Sequence, residues 1–253
     1  MATSTLRVWH DGPIARVRLA RETQRNALDL AMCEELNAEF QRLDSLPGIG
    51  VVIVDAAGPV FCAGADLKER KDKDADWIRR RRLKAFEAYR SIERCSKPVV
   101  ALVHGAVVGS GGEIAMACDF IIAARDTTFR FPEPHWGTVG ATQRLQRVIG
   151  KRRAKELLFT NRIMPVEEAY MLGLVARVVD ADALERVGDE VAASIATAPG
   201  LAIRLTKQAI DLGEETDLES GIRIELTAID QNLATADWRA GVQRFADADQ
   251  RQS

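Results

Sequence analysis

The stretch Pro98-Val-Val-Ala-Leu-Val-His-Gly-Ala-Val-Val-Gly-Ser-Gly-Gly-Glu113 decides the fold of this chain. Its apolar first half predicts a buried strand over Pro98–His104, its glycines predict a turn, and a helix is expected to open on Glu113. A glycine-rich turn from strand to helix exposes backbone N–H groups, and Glu113 places a carboxyl group beside them. Backbone donors and a nearby acid are what an enzyme needs to stabilise and protonate an enolate.

The turn does not match the two common phosphate-binding motifs. A dinucleotide-binding G-x-G-x-x-G motif starting at Gly109 would need glycine where Ile114 stands. A P-loop needs Gly-Lys-Ser/Thr, and no lysine follows these glycines. Close packing of strand against helix is the simpler alternative for the glycines, so other segments must decide between packing and catalysis.

Two further segments favour catalysis. Phe61-Cys-Ala-Gly-Ala-Asp-Leu-Lys68 follows the strand-like run Val51–Ala57, and its small residues let a ligand approach backbone N–H groups. Glu133 lies between Pro132 and Pro134 with aromatic neighbours, and apolar surroundings raise the pKa of a carboxyl group into the range useful for acid–base chemistry. A tight loop and a solvated surface acid are the alternatives when each segment is taken alone.

Together these segments resemble the crotonase family, which comprises the enoyl-CoA hydratases and isomerases. The matching pieces occur in the family's order over nearly the whole chain: Arg25–Leu28, Phe61–Glu69, Lys97–Ala106, Gly109–Asp119, Phe131–Glu133, Thr142–Leu145 and Ala169–Val175. The resemblance implies an α/β fold of the crotonase (ClpP-like) type, with a spiral of repeated β-β-α units over residues 1–180. It also implies a C-terminal helical region, residues 181–253, that completes the active site and forms the contact of a homotrimer, often paired into a hexamer.

The resemblance assigns the chemistry to four residues. An acyl-CoA thioester would bind with its carbonyl oxygen between the backbone N–H groups of Ala65 and Ser110, an oxyanion hole whose loss typically costs about 3 kcal/mol. In hydratases, Glu133 would deliver a proton to the α-carbon and Glu113 would position and deprotonate water. Coenzyme A is part of the substrate, so no cofactor and no metal ion are expected.

Further residues are assigned to the coenzyme A portion by motif position. The backbone around Ala63 to Leu67 would receive its adenine and pantetheine ends. Surface solvation is the alternative for the basic side chains among them. The predicted substrate-binding set is Arg25, Ala27, Ala63, Asp66, Leu67 and Lys68.

The chain departs from the family's pattern at three places. Ser110 replaces the usual glycine, and a non-glycine residue with positive φ would be strained by roughly 1 kcal/mol or more. Gly137–Thr142 is shorter than the family's common version, which bears on substrate choice. The tail lacks the usual basic and aromatic ending, for which Phe245 and Arg251 are candidate replacements.

Two alternative functions stay open. A Δ3-Δ2 enoyl-CoA isomerase would use Glu133 alone as a proton shuttle, and other enolate reactions of the family also stay open. Arg79–Arg82 with Lys84 forms a basic patch of the kind that binds RNA, although flanking acids favour an ordinary solvated face. The acyl chain and the pathway, whether fatty-acid metabolism, amino-acid breakdown or degradation of aromatic acids, also stay open.

Composition predicts a single soluble domain. The chain has 253 residues, 47% of them hydrophobic, and a net charge of −2, which gives no general attraction to nucleic acid or to acidic membranes. No apolar run approaches the roughly 20 residues of a membrane span, and Met1–Thr5 is too short and polar for a secretory signal, so a cytoplasmic location is expected. The cysteines form no C-x-x-C pair and are expected to be core thiols: Cys33, Cys62, Cys95 and Cys118.

Periodicity predicts the remaining elements. Leu6–His10 and Ile14–Leu19 form a hairpin, and a helix starts near Asp29 with an apolar stripe. The stripe consists of Leu30, Cys33, Leu36, Phe40 and Leu43. Helices are also expected over 181–197, 199–212 and 215–235, with a short last one over Trp238–Phe245.

Overall fold

The computed structural model describes residues 4–236, 238–239 and 241–243. The strands in this part are β1 (Leu6–Asp11), β2 (Ile14–Leu19), β3 (Val51–Ala56), β4 (Val99–Val103), β5 (Ala106–Val108), β6 (Phe120–Ala124), β7 (Thr128–Arg130), β8 (Met164–Pro165) and β9 (Arg177–Val179). The helices are α1 (Leu30–Ser45), α2 (Ala75–Glu93), α3 (Ser110–Ala117), α4 (Thr142–Ile149), α5 (Lys151–Thr160), α6 (Val166–Met171), α7 (Leu184–Ala196), α8 (Gly200–Glu214) and α9 (Leu218–Leu233). Short 3-10 helices lie at Glu22–Gln24, Lys68–Arg70, Glu133–Trp136 and Ala181–Ala183. The predicted helix over Trp238–Phe245 extends beyond the described residues, and Phe245 and Arg251 lie outside them.

The larger sheet has the strand order β1-β2-β3-β4-β6-β9 and is parallel except for the β1–β2 hairpin. Strands β3 and β4 are buried along their whole length because both faces of the sheet are covered, as is usual for parallel strands. Val52 and Val54 belong to the main core, whereas Val51 and Ile53 belong to a second core with α7. The continuous apolar runs of the sequence therefore mark strands that are covered on both sides.

The smaller sheet, β5-β7-β8, makes the fold a spiral. Successive units run β4-β5-α3 and β6-β7-α4, so each unit gives one strand to each sheet. The preceding turn of the spiral touches the smaller sheet through a bridge between Cys62 and Val107. Because the units stack in register, the segment after Cys62, the end of β5 and the start of α3 come together at one place.

The helices largely follow the predicted pattern. Asp29 caps α1, its side chain accepting a hydrogen bond from the Met32 amide. The apolar stripe of α1 is buried as predicted except at Leu30, which is half-buried, while Met32 takes an additional core place. Beyond residue 180, α7, α8 and α9 match the predicted helical segments within about three residues. Leu184 and Ala192 of α7 pack on the larger sheet, so the helical region shares a core with the spiral.

All four cysteines are free and buried, which confirms the prediction of core thiols. Burial raises the pKa of Cys33 to about 12 and the pKa values of Cys62 and Cys95 to about 11 each. At neutral pH the thiols are therefore protonated and poorly nucleophilic. Among the described helices, none has the length and apolar character needed to cross a lipid bilayer.

Candidate active site

Helix α3 begins at Ser110, three residues before the predicted start at Glu113. The left-handed backbone position of the turn falls on Gly109, whose φ is 45°, and not on Ser110. The strain considered for serine at this position therefore does not arise. The Ser110 side chain instead lies beside the buried phenol of Tyr89 and partly offsets the rise in the Tyr89 pKa that burial causes.

The glycines of the turn make room for the atoms that surround the site. A Cβ atom on Gly109 would lie 2.6 Å from Oε1 of Glu133, and one on Gly112 would lie 2.5 Å from Cε1 of Phe131. A Cβ on Gly111 would approach the carbonyl oxygen of Cys62 to 2.7 Å. The glycines of the turn therefore serve both close packing and the proposed catalysis, because the absence of a side chain on Gly109 makes room for the Glu133 carboxyl group.

The segment before Ala65 is fixed by backbone hydrogen bonds. The Ala63 amide donates to the Arg25 carbonyl at 3.0 Å, and the Leu28 amide donates to the Gly64 carbonyl at 2.8 Å. The Asp66 amide returns to the Leu28 carbonyl at 2.8 Å. Ala65 lies between these anchored neighbours, so the direction of its own N–H group is fixed.

The backbone N–H groups of Ala65 and Ser110 donate to no acceptor within the described part of the chain. Ser110 is the first residue of α3, where a helix leaves its N–H groups unpaired. Both residues line one cavity. Unpaired backbone donors that border a shared space are suited to bind a developing oxyanion.

This cavity has a volume of about 390 Å³ and lies between α2, the start of α3 and the Glu133–Trp136 3-10 helix. Glu113 and Glu133 both line it. Its apolar wall is formed by side chains from several elements: Leu67, Ala85, Phe86, Tyr89, Val108 and Val139. A mostly apolar cleft with a few convergent polar groups is typical of a small-molecule site.

Glu133 opens its 3-10 helix directly after Pro132 and is half-buried. Its Oε2 atom is buried without a hydrogen-bond partner among the described residues. Burial raises the pKa of Glu133, its own backbone N–H opposes that rise, and the Glu113 carboxylate adds to it. The shift is toward the neutral acid form, the direction that the sequence predicted from the apolar surroundings of Glu133.

Glu113 is also buried but has a cationic partner. Its Oε2 atom accepts a hydrogen bond from Nη1 of Arg144 at 2.8 Å. Arg144 is itself fixed, because it also contacts Glu93 at 2.9 and 3.1 Å and lies over the ring of Tyr89. The two acids thus lie in different environments, one paired with a guanidinium and one unpaired. Sequence reasoning gave Arg144 no role, although it lies in the matched piece Thr142–Leu145.

The structure separates the predicted substrate-binding residues into two groups. Arg25, Ala63 and Leu67 line the cavity. The others are absent from the described cavity lining: Ala27, Asp66 and Lys68. Asp66 pairs with Arg21 at 3.1 Å, and the Ala27 carbonyl accepts a hydrogen bond from the same guanidinium. For these two residues the contacts observed are structural.

The residues after Glu133 face away from it or form the rim. His135 contacts the carbonyl oxygen of Phe159 through Nε2 at 2.8 Å. Trp136 lines the cavity but is 66% exposed. The shortened loop is held by Arg82, which donates to the Val139 carbonyl and to Oγ1 of Thr138.

The predicted basic patch does not form a continuous surface. Arg81 is only 2% exposed and contacts Glu69 and the Leu28 carbonyl inside the protein. Lys84 pairs with Glu87 at 2.7 Å. The RNA-binding alternative therefore loses the run of four exposed arginines on which it rested.

Comparison with known proteins identifies the class of fold and then the family. The crystal structure of an enoyl-CoA hydratase from Bacillus anthracis matches with a TM-score of 0.93 and 35% identity, covering 96% of each chain. The short-chain-enoyl-CoA hydratase of Clostridium acetobutylicum is 33% identical over 93% of this chain and 92% of that protein. The crotonyl-CoA hydratase of Syntrophomonas wolfei is 32% identical over 97% and 96%.

These matches, with the two-sheet spiral, confirm the predicted crotonase fold. A family model described as Enoyl-CoA hydratase/isomerase matches residues 10–252. The chain belongs to the enoyl-CoA hydratase/isomerase family.

Proposed function

We propose that this protein adds water across the 2,3 double bond of an enoyl-CoA thioester. The observation that carries the proposal is the presence of two carboxyl groups, Glu113 and Glu133, in the same cavity as the unpaired N–H groups of Ala65 and Ser110. Relatives that align over nearly the whole chain have names that specify this reaction. Hydration needs both acids, whereas an isomerase can move one proton with a single acid.

In the proposed reaction the thioester carbonyl oxygen accepts hydrogen bonds from the Ala65 and Ser110 amides. Negative charge develops on this oxygen as water attacks C3, and the two donors stabilise the resulting enolate. Glu113 accepts a proton from the attacking water, and its ion pair with Arg144 fixes the position of the carboxylate. Glu133 then delivers a proton to C2.

The different surroundings of the two acids support this division of work. Burial and the neighbouring Glu113 charge raise the pKa of Glu133, which favours the protonated form that a proton donor needs. The Glu113 carboxylate accepts a hydrogen bond from Arg144 at 2.8 Å, which holds it in place to take a proton from water. Coenzyme A enters and leaves as part of the substrate, and these proton transfers use no separate cofactor or metal.

The test is the loss of conjugated enoyl-thioester absorbance when the purified protein meets crotonyl-CoA. Glu113→Gln and Glu133→Gln are each expected to lower kcat by about 10²–10⁴-fold, the usual contribution of an acid–base group. Glu190→Gln, on the exposed side of α7, serves as the matched control and should keep the wild-type rate. Full activity of Glu113→Gln with an inactive Glu133→Gln would replace hydration by isomerisation.

We also propose that the active form is a homotrimer or a hexamer, as the resemblance to the family implied. Helices α8 and α9 support this, because they leave apolar side chains exposed: Ile210, Leu218, Ile222, Leu226, Ile229 and Leu233. Sedimentation at equilibrium should give three or six times the chain mass of 27.8 kDa, and a monomer at micromolar concentration would contradict the proposal. The cytoplasmic location expected from the sequence stays a prediction.

A further inference from the structure

The cavity carries more positive charge than hydration of a simple enoyl chain requires. Of the charged residues that line it, two are the proposed catalytic glutamates and the others are arginines: Arg25, Arg70, Arg81, Arg82 and Arg130. A guanidinium keeps its charge at all pH values of interest. An excess of cations in a small, partly apolar space requires compensation from protein acids, water or a bound anion.

Two of these arginines are held by protein groups, although only Arg81 has an acid as its partner. Arg81 is paired with Glu69 and also donates to the Leu28 carbonyl. Arg130 donates through Nε to Oδ1 of Asn161 at 2.9 Å. Both side chains hold the protein together, but the partner of Arg130 is a neutral residue, so no described acid balances its charge.

Arg25 is exposed at the rim of the cavity, in the segment that the proposed function assigns to coenzyme A. The phosphates of that carrier give Arg25 an anionic partner outside the acyl site. The charges that neither protein acids nor coenzyme A accounts for therefore belong to Arg70, Arg82 and Arg130, and of these Arg130 is already anchored to Asn161 through Nε.

Arg70 is the cation with the least compensation. It ends the Lys68–Arg70 3-10 helix, is half-buried, and forms no ion pair with any described residue. Its Nε atom is buried without a hydrogen-bond partner in the described part of the chain. Burial lowers the pKa of Arg70, the neighbouring charges of Arg81 and Arg82 lower it further, and Glu69 opposes this shift without forming an ion pair with Arg70. Such a donor is satisfied when an anionic acceptor enters the cavity.

Arg82 adds a second positive charge to the same region. Both of its terminal nitrogens donate to neutral oxygens, the Val139 carbonyl and Oγ1 of Thr138, and it forms no ion pair with a described acid. Its field also reaches Glu133, whose pKa it lowers against the effect of burial. Arg82 thus fixes the shortened loop and at the same time leaves its charge uncompensated next to the acyl site.

We propose that the acyl group of the substrate carries a carboxylate beyond its double bond, and that Arg70 binds this carboxylate with Arg82 supporting it. This inference rests on the proposed function, since it assigns the substrate class of the same cavity. Arginine binds carboxylates through two parallel hydrogen bonds, which would satisfy the orphaned Nε together with a terminal nitrogen. The repulsion between such a carboxylate and the Glu113 carboxylate also directs the charged end toward Arg70 and the double bond toward the acids.

The test compares ligands of equal shape that differ in charge. Glutaryl-CoA and 5-methylhexanoyl-CoA, in which an isopropyl group replaces the carboxylate, are titrated by calorimetry into the intact protein. Glutaconyl-CoA and 5-methylhex-2-enoyl-CoA form the matching pair for turnover, with crotonyl-CoA as the short reference. The variants are Arg70→Met, the charge-retaining Arg70→Lys, and Arg80→Met as the control, because Arg80 is an exposed arginine of α2 outside the cavity.

The wild-type protein is expected to bind glutaryl-CoA at least tenfold more tightly than its neutral isostere, and to show the same preference in kcat/KM for the enoyl pair. Arg70→Met should remove the preference by weakening only the charged ligand, Arg70→Lys should keep part of it, and Arg80→Met should keep all of it. Equal affinity for the two ligands, or a preference that survives in Arg70→Met, would overturn the inference.

The two proposals fail in different ways. Hydration of crotonyl-CoA without a preference for the charged ligands overturns only the carboxylate site. Preferential binding of glutaryl-CoA without hydration of any enoyl-CoA supports the carboxylate site and overturns the hydratase.

Discussion

Replacing Ser110 by proline removes one backbone N–H group from the candidate oxyanion hole, together with the hydroxyl beside Tyr89. Proline fits the first position of a helix because its φ is already helical, and Ser110 is the first residue of α3. The Ser110 amide has no acceptor among the described residues, so no internal hydrogen bond is lost. The preceding residue, Gly109, has no Cβ to clash with the proline ring.

The expected effect is a large loss of rate with a small loss of stability. Removal of one oxyanion-hole donor typically costs about 2.7–4 kcal/mol of transition-state stabilisation, or roughly 10²–10³-fold in kcat. The free energy of unfolding should change by less than about 1 kcal/mol, since a compatible proline also restricts the unfolded chain. The two quantities are measured as kcat with crotonyl-CoA and as the midpoint of urea unfolding.

Ser110→Ala is the matched control, because it removes the hydroxyl beside Tyr89 and keeps the amide. It should retain wild-type kcat to within a few-fold. If Ser110→Pro folds with unchanged stability and also keeps the wild-type rate, the Ser110 N–H does not stabilise the transition state and the assignment of the oxyanion hole is refuted.

Three further predictions concern the acids and their supports. Because Glu133 must be protonated to act as proton donor and its pKa is raised, kcat/KM should fall as pH rises through that raised pKa. The same group stabilises the fold fully below its ordinary pKa of 4.5, and this stabilisation is lost as pH rises through the raised pKa. Glu133→Gln should flatten both pH profiles, and a rate that climbs with pH would contradict the donor role. Arg144→Met leaves the buried Glu113 without its ion-pair partner and should lower the free energy of unfolding, measured in urea titrations, by about 3 kcal/mol. Arg144→Lys should recover part of this loss. An unchanged unfolding midpoint in Arg144→Met would show that the ion pair does not stabilise the fold. Gly140→Ala places a Cβ atom 2.9 Å from Cγ of Glu133, so the Glu133 carboxyl must shift. We expect kcat to fall by about 10- to 10²-fold with KM nearly unchanged. A change in KM alone would instead show that Gly140 acts in substrate binding.

Local patterns were sufficient for the frame of the fold. The apolar run of β4 predicts a strand that is covered on both faces. Asp29 predicts the start of α1, because an aspartate side chain can cap the first turn of a helix. The predicted start of α3, at Glu113, was wrong because glycine and serine have low helix propensity. Tertiary packing around Gly112 overrides this propensity, and Ser110–Gly112 form the first turn of the helix.

The relations between distant residues did not follow from local pattern. Glu113 and Arg144 are separated by 31 positions, and only the stacking of successive β-β-α units brings them within 2.8 Å. Residues 79–82 are all arginines, so the sequence alone does not show which of them faces the core. The phase of α2 is set by its apolar side, on which Ala85 and Tyr89 are buried, and this turns Arg81 into the core and Arg82 toward the acyl site.

The most direct test of the hydratase mechanism is the reaction of crotonyl-CoA in water enriched in oxygen-18, followed by mass spectrometry of the thioester product. Loss of absorbance alone does not separate hydration from a shift of the double bond, whereas the isotope does. The two-carboxyl mechanism predicts 3-hydroxybutyryl-CoA with one oxygen-18 atom at C3, and no such product from Glu113→Gln or Glu133→Gln beyond about 1% of the wild-type rate. A product of unchanged mass, formed with the double bond moved and no label incorporated, would contradict it.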